Sequence, residues 1–477
     1  MKKNSGLLYF IFVIGLFFCL ISHDFLTEGM FVDGIYYSSV SHKIATGQSS
    51  FWHLTFSKFP NTEFCEHPPL AFLTQSWFIK IFGDNFYCDK IYSVLTCIIT
   101  GLLICLIWKK ITGDIKSAWM PLLFWTLIPL AIWGATNDLL ENTMSIFIVA
   151  SIYLCLCENK PYLFSCLAGV LTYLAFMVKG PTALFPLAFP IIQYFFQNEK
   201  SLWKYLLKFI VMAGTSFAVF SIMLLISEDS RLFFETYYHK QIVKSIESVE
   251  TVSTRFYIIW RWFCEMLVGI AIILVSFIAR YKGQTFKKLT GIKDSIANNT
   301  EIRNNTKESL KFFMLGLCGV IPIMISLKQR SFYILPTLPF FALSLAFIFR
   351  SIFRGINNMT VKYVFSSLAI VAAITLNAIN FGRVSRDKEM LHDIHEFEKL
   401  VPNNEMILIP KSLASEYSLH AYYARYFDST LTTKDENNKY LIMPKEETYD
   451  ENTWHSKYQA VELKSEKYNL YINKSYY

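Results

Sequence analysis

Charge is scarce in this chain. Asp, Glu, Lys and Arg make up only 17% of its 477 residues, against 53% hydrophobic and 17% aromatic, too little polar side chain to cover a soluble globule of that length. Cysteine is absent after Cys318, so no disulfide scaffold can hold the last part of the chain. The Walker and dinucleotide-binding glycine fingerprints are missing, which argues against a nucleotide-driven mechanism. The first apolar run lacks a small-residue cleavage site, being followed by SHDFLTEG, and reads as an uncleaved anchor.

What the chain does have is long apolar runs. A hydrocarbon core of about 30 Å takes roughly 17 to 25 helical residues. On that measure about eleven spans are predicted, near 7–22, 86–108, 117–133, 139–157, 162–178, 182–196, 206–227, 256–279, 312–327, 332–349 and 361–380. Lys2 and Lys3, Lys109, Lys110 and Lys116, Lys200, Lys204 and Lys208, the stretch 280–311, and Arg350 and Arg354 then fall on one side. The positive excess marks that side as cytoplasmic, so the net charge of +8 is topological and not a nucleic-acid footprint. The inner stretch from Tyr281 to Lys311 reads as a solvated, flexible loop without chemistry.

On the outer side lie the acidic loop 23–84, the loop 228–253 and the tail after 381. In the tail, Leu391, Ile394, Phe397 and Leu400 share a helical face that ends at Pro402. EMILIP, KYLIMP and YQAVELKSEKYNLYINK read as strands, with YSLHAYYARYF as a helix between the first two. The expected fold class is an all-α polytopic membrane domain over 1–384 plus a small outer α/β domain over 385–477. Within loop 23–84, LAFLTQSWFIKIF is short for a span and is expected to lie in the interface or re-enter.

Three cations break the positive-inside pattern: Lys179 in MVKGPTALFP, and Lys328 with Arg330 in SLKQRSFYILPTLPF, all at outer-side junctions. An unpaired cation at mid-helix costs about 2.5 to 3.5 kcal/mol and less at a boundary. Snorkelling to headgroups would satisfy any one of them. Three on one face beside an acidic loop point instead to an anionic ligand. The acids are Asp33, at the start of a helix carrying Tyr36, Tyr37, Val40 and Ile44 with helical spacing; Asp138 and Glu141, at the outer end of a span; and Glu66 beside His67. Helix capping is open for Asp33 and for Asp138. Pro68 and Pro69 favour extended backbone before them and a helix start after them, so they stiffen the junction that carries Glu66 and His67.

The order of an acid after the first span, E-x-P-P before an interfacial helix, an acid opening a middle span, KGP, and R-x-x-Y-x-x-P-x-x-P resembles the membrane glycosyltransferases of the aminoarabinose-transferase and protein mannosyltransferase superfamily, which have the GT-C fold. The resemblance covers 1–349. It implies a hexosyl or pentosyl donor carried on a polyprenyl phosphate, a lipid, glycan or protein acceptor, and transfer on the outer face of a bacterial inner membrane. Asp33 matches the family's loop acid, the base. Tyr37 falls on its following tyrosine, Glu66 on the acid of its proline motif, and Glu141 on its middle-span acid, with Asp138 beside it. Lys179 matches the lysine before Gly-Pro, and Arg330, Tyr333 and Pro336 match the late motif. Two positions depart: Gly34 stands where a second acid is usual, and His67 where lysine is usual.

The chemistry of the residues agrees. Glycosyl transfer from a lipid phosphate needs a base for the acceptor hydroxyl and positive charge on the leaving phosphate. Asp33 supplies the first; Lys179, Arg330, Lys328 and His67, helped by Tyr333, supply the second, with arginine offering a bidentate fork. Glu66, Glu141, Asp138 and Tyr37 orient sugar hydroxyls or hold the cations. Apolar grooves beside 332–349 are expected to take the polyprenyl tail. No cofactor is assigned, and a divalent metal stays open; His392 and His395 with Glu396 and Glu398 have ligand-like spacing on what also reads as a solvated helix face. The rival class is a transporter or flippase of a lipid-linked anion, which should show internal repeats and polar groups at mid-membrane; no clear repeat is visible and the informative charges gather at one face.

Overall fold

The computed structural model describes residues 5–57, 63–197, 201–244, 250–281, 299–353, 355–356, 358–446 and 457–476. Seven of its helices are long and apolar enough to cross a membrane, or eight if one bent pair counts as a span. The first span, α1 (Ser5–Ile21), lies against the last long helix of the chain, Met359–Asn380. Ser366 Oγ donates to the Leu8 carbonyl at 2.7 Å and Asn377 Nδ2 to the Phe18 carbonyl at 3.0 Å. Gly15 lets the two backbones meet, since a Cβ there would fall 2.8 Å from the Ala369 carbonyl carbon.

The outer loop folds into α2 (Val32–Ala45) and α3 (Leu70–Phe82), the latter starting directly after Pro69 and buried along Ala71, Phe72, Gln75, Ser76 and Ile79. Next comes α4 (Phe86–Thr112), capped by Asn85, whose side chain accepts from the Cys88 N–H, and closed by Gly113 at φ +70°. The single span expected at 117–133 is instead α5 (Trp119–Thr126) and α6 (Pro129–Ala135), which meet at 87°. Pro129 lacks an N–H and keeps Ile128 extended. The freed Leu130 N–H is taken by Glu265 at 2.7 Å.

Helices α7 (Leu140–Cys155) and α8 (Pro161–Lys179) form an antiparallel pair. The chain then turns at Gly180, φ +76°, into a 3-10 segment and α9 (Phe189–Phe196). Gln193 Nε2 on α9 donates to the Cys155 carbonyl at the far end of α7. The stretch from Pro161 to Phe196 therefore goes out and comes back, in agreement with the two spans expected there.

α10 (Leu202–Ile226) leads into α11 (Glu228–Tyr237) and a π turn Tyr238–Val243, so loop 228–253 is largely helical. After α12 (Tyr257–Tyr281), residues 282–298 of the inner loop lie outside the described residues, but 300–311 do not form the loop expected. Asn299 accepts from the Glu301 and Ile302 N–H groups and starts α13 (Thr300–Val320) there. Its inner part is held by Asn305 to Ser351 at 3.1 Å and Ser309 to Ser344 at 3.0 Å, polar pairs that a hydropathy scan passes over. Then follow α14 (Leu338–Ile352), preceded by the 3-10 turn Ser331–Thr337, and α15 (Met359–Asn380).

The tail forms α16 (Lys388–Glu398), α17 (Tyr417–Tyr426) and a five-stranded sheet. Its strands are β1 (Met406–Leu408), β2 (Thr430–Thr432), β3 (Tyr440–Pro444), β4 (Tyr458–Ala460) and β5 (Tyr468–Asn473), in the order β2-β1-β3-β5-β4. β1 is parallel to both neighbours, and the closing stretch makes an antiparallel hairpin. β2 was not expected from the sequence. Asp393 on α16 accepts from the Glu466, Lys467 and Tyr468 N–H groups at 2.5 to 2.7 Å and ties the helix to β5.

Candidate active site

Asp33 lies in the first turn of α2, whose flanking residue is Phe31. Its carboxylate is thus one residue inside the helix and does not act as the N-cap. Asn137 fixes the start of α2: its Oδ1 accepts from the Phe31 N–H at 2.9 Å, and its backbone carbonyl packs on Gly34. A Cβ at Gly34 would fall 2.0 Å from that carbonyl oxygen. The glycine that departs from the family's second acid is therefore required by close packing.

Burial raises the Asp33 carboxyl above its ordinary range, and the charges of Lys179, Arg330 and Lys328 pull it back down. All three cations singled out in the sequence thus act on one acid. Glu66 is exposed at its surface yet crowded by protein, which pushes its carboxyl up; Lys328 and Lys244 oppose that and Asp33 adds to it. Lys328 and Arg330 flank Gln329, which is 1% exposed. Gln329 donates to the Arg255 and Ser326 carbonyls and accepts from the Ile258 N–H. This buried amide pins the segment so that its two charged neighbours turn outward, a role that no signal in the sequence announced.

Lys179, at the end of α8, is ion-paired to Glu141 in the first turn of α7, and both are buried. The rings of Tyr333, Phe332 and Tyr37 surround its ammonium at 5.1, 5.2 and 5.9 Å. Glu141 therefore holds the lysine and keeps one oxygen, Oε2, without a hydrogen-bond partner among the described residues. Tyr37 and His67 share a hydrogen bond of 3.1 Å through the phenol and Nε2, while Nδ1 of His67 has no partner among the described residues. Burial and the nearby Lys179 and Lys328 hold the imidazole well below its ordinary pKa, so His67 is neutral at physiological pH.

Beside them opens a cavity of about 500 Å³. His67, Glu141, Lys179, Lys328 and Tyr333 make its polar end, and Met144, Phe185, Pro322, Ile323 and Ile325 its apolar walls. The segment 332–349 is largely buried in the bundle, and Tyr333 from it reaches the cavity. Tyr237, Gln241 and Ile242 close another side. They come from the loop 228–253, which the sequence analysis left without a role, although Phe233, Tyr237 and Gln241 have helical spacing. Gly180 belongs to the same wall, since its positive φ and missing Cβ leave room for the Tyr237 hydroxyl, 2.1 Å from where that Cβ would stand.

Asp138 is not part of this cavity. Its left-handed backbone, φ +47°, turns it toward Gln75, whose Nε2 lies 2.5 Å from its Oδ2. Cys65 and Cys88 are unpaired, and among the described residues no three His, Cys, Asp or Glu side chains converge as a metal site. His392 and His395 diverge, His395 reaching Glu28 at 2.8 Å.

Residues 66–226 match the dolichyl-phosphate-mannose-protein mannosyltransferase family. No curated protein matches the chain by sequence. Two crystal structures of ArnT from Cupriavidus metallidurans superpose on it with a TM-score of 0.66 each. One is bound to undecaprenyl phosphate, at 11% identity over 99% of this chain and 98% of that one; the other is in the apo state, at 10% identity over 99% of both. The chain has the ArnT fold. The overlap of nearly the whole of both chains places the tail domain and the first outer loop, as well as the spans, within that GT-C architecture. At this identity the ArnT fold alone is shared, and the chemistry rests on the residues themselves.

Proposed function

We propose that this protein is a multi-pass membrane glycosyltransferase that moves a hexosyl or pentosyl unit from a polyprenyl-phosphate donor to a lipid, glycan or protein acceptor. In this reading it resides in a bacterial inner membrane with its site on the periplasmic face, residues 1–384 forming the transferase unit and 385–477 the outer domain. The observation that carries the proposal is the set of three cations, Lys179, Arg330 and Lys328, acting on Asp33, with Lys179 and Lys328 at the polar end of a cavity with apolar walls. Asp33 takes the proton of the acceptor hydroxyl as it attacks the anomeric carbon. The bond from that carbon to the phosphate oxygen breaks, and the charge that develops there falls to Lys328 and Arg330, with Lys179 partly neutralised by Glu141. Glu66 and the free oxygen of Glu141 accept from sugar hydroxyls, and Tyr37 and Tyr333 frame the lysine. The apolar walls receive the first isoprene units.

The test is transfer by the purified protein in nanodiscs from a panel of labelled polyprenyl-phosphate sugars, with lipid, glycan and peptide acceptors supplied in turn. Release of polyprenyl phosphate together with a labelled acceptor is the expected result. If every donor stays intact while the lipid-linked anion crosses a reconstituted bilayer, transport replaces transfer.

A further inference from the structure

Arg425, on α17 of the outer domain, is 3% exposed and reaches into the membrane domain. Its Nη1 lies 2.8 Å from Asp84, and its Nε and Nη2 donate to Asp89 at 3.0 and 3.3 Å. Asp89, 1% exposed at the start of α4, also accepts from Gln75 Nε2 at 3.2 Å. The same amide nitrogen donates to Asp138, three residues before Glu141. The Gln75 oxygen accepts from Ser41 Oγ at 2.7 Å. Ser41 stands on α2 two turns beyond Asp33, with Tyr37 between them at the same spacing of four, so all three share a helix face. Every member of this chain of bonds is buried apart from Asp84.

We infer that Gln75 and Arg425 are positioning residues through which the outer domain sets the site: their hydrogen bonds bring α2, which carries Asp33, into register with the entry to α7, which carries Glu141. The inference rests on the transferase reading for its effect on rate, but not for its effect on structure. Gln75 is the junction because its two amide hydrogens and its oxygen are all engaged, so no other orientation of the side chain satisfies Asp89, Asp138 and Ser41 together. With the outer domain undocked, Asp84, Asp89 and Asp138 would face one another without their cation, and the helix starts they hold would move apart. A misplacement of about 1 Å at a reacting group costs on the order of 100-fold in rate.

The experiment uses the full chain in nanodiscs and compares wild type with Gln75→Leu, Arg425→Gln and, as a docking control, His395→Gln, which loosens the same domain at its Glu28 contact without touching the network. The expected result for Gln75→Leu is a kcat lower by about 10- to 100-fold with donor KM within about threefold, and faster hydrogen exchange of the amides of 33–41 while those of β1 and β3 stay protected. Arg425→Gln should do the same, and His395→Gln should leave kcat within about twofold. Unchanged kcat and unchanged exchange in Gln75→Leu would overturn the inference, as would an equal loss of kcat in His395→Gln. If wild type transfers nothing, the transferase reading fails, and the exchange of 33–41 still decides the coupling in either direction.

Discussion

Arg425 and Lys179 each sit in a buried cation-carboxylate centre, and the two centres differ in what they leave over. Around Arg425, Asp84 and Asp89 take up the guanidinium nitrogens, and Gln75 bridges Asp89 to Asp138. Around Lys179, one oxygen of Glu141 and one nitrogen of His67 remain without partners among the described residues, three rings surround the ammonium, and a cavity of about 500 Å³ opens beside it. Burial is common to both. The first is closed and joins two domains; the second is open, and the groups left unsatisfied mark where a ligand's polar atoms belong.

Breaking either pair should cost similar stability but different function. Removing one partner of a buried pair costs about 3 to 5 kcal/mol because the other charge is stranded. Glu141→Gln and Arg425→Ala should each lower the melting temperature by that measure in detergent, yet only Glu141→Gln should alter binding of polyprenyl phosphate. Equal effects on binding would erase the distinction between the centres. Arg330→Ala should weaken polyprenyl-phosphate binding by roughly 10- to 100-fold, the worth of a charged hydrogen bond of about 1.5 to 3 kcal/mol, with little change in melting. Gly34→Ala should destabilise by about 1 to 3 kcal/mol, since the helix must back away from the Asn137 carbonyl. Loss of transfer at unchanged donor affinity would accompany it.

The smallest effect concerns the second docking contact. His395, next to Glu28 and Glu398, holds its proton up to about pH 9, whereas a free histidine loses it near 6.5. A raised folded pKa means that the contribution is complete below about pH 6.5 and disappears as the pH passes about 9. Melting temperature should therefore fall modestly across that window, and His395→Gln should flatten the slope.

Much of this was legible in the sequence, for reasons particular residues show. The apolar runs gave most of the spans because hydropathy integrates over many residues, and Lys179, Lys328 and Arg330 stood out because each violates a rule that lipid imposes. The break at Pro129 and the helix that begins at Asn299 were misread, as both depend on single residues inside runs of the opposite character. Of the site residues, the motifs brought Asp33, Glu66, His67, Glu141, Lys179, Lys328, Arg330 and Tyr333 to one region. Asp138, with a left-handed backbone, bonds to Gln75. Tyr237 and Gln329 were invisible because their roles are set by packing against Gly180 and by backbone partners distant in the chain. The linkage from Arg425 through Gln75 to Ser41 joins residues more than 300 positions apart, beyond any local pattern.

In the proposed reaction Asp33 is the base of an open site whose donor is held by the cations around it. The most direct measurement is single-turnover transfer by Asp33→Asn beside wild type, with polyprenyl-phosphate binding measured on the same samples. Transfer should slow by about 100- to 10,000-fold, with binding kept or tightened as a negative charge leaves the cation cluster. Full transfer by the folded variant would contradict that role.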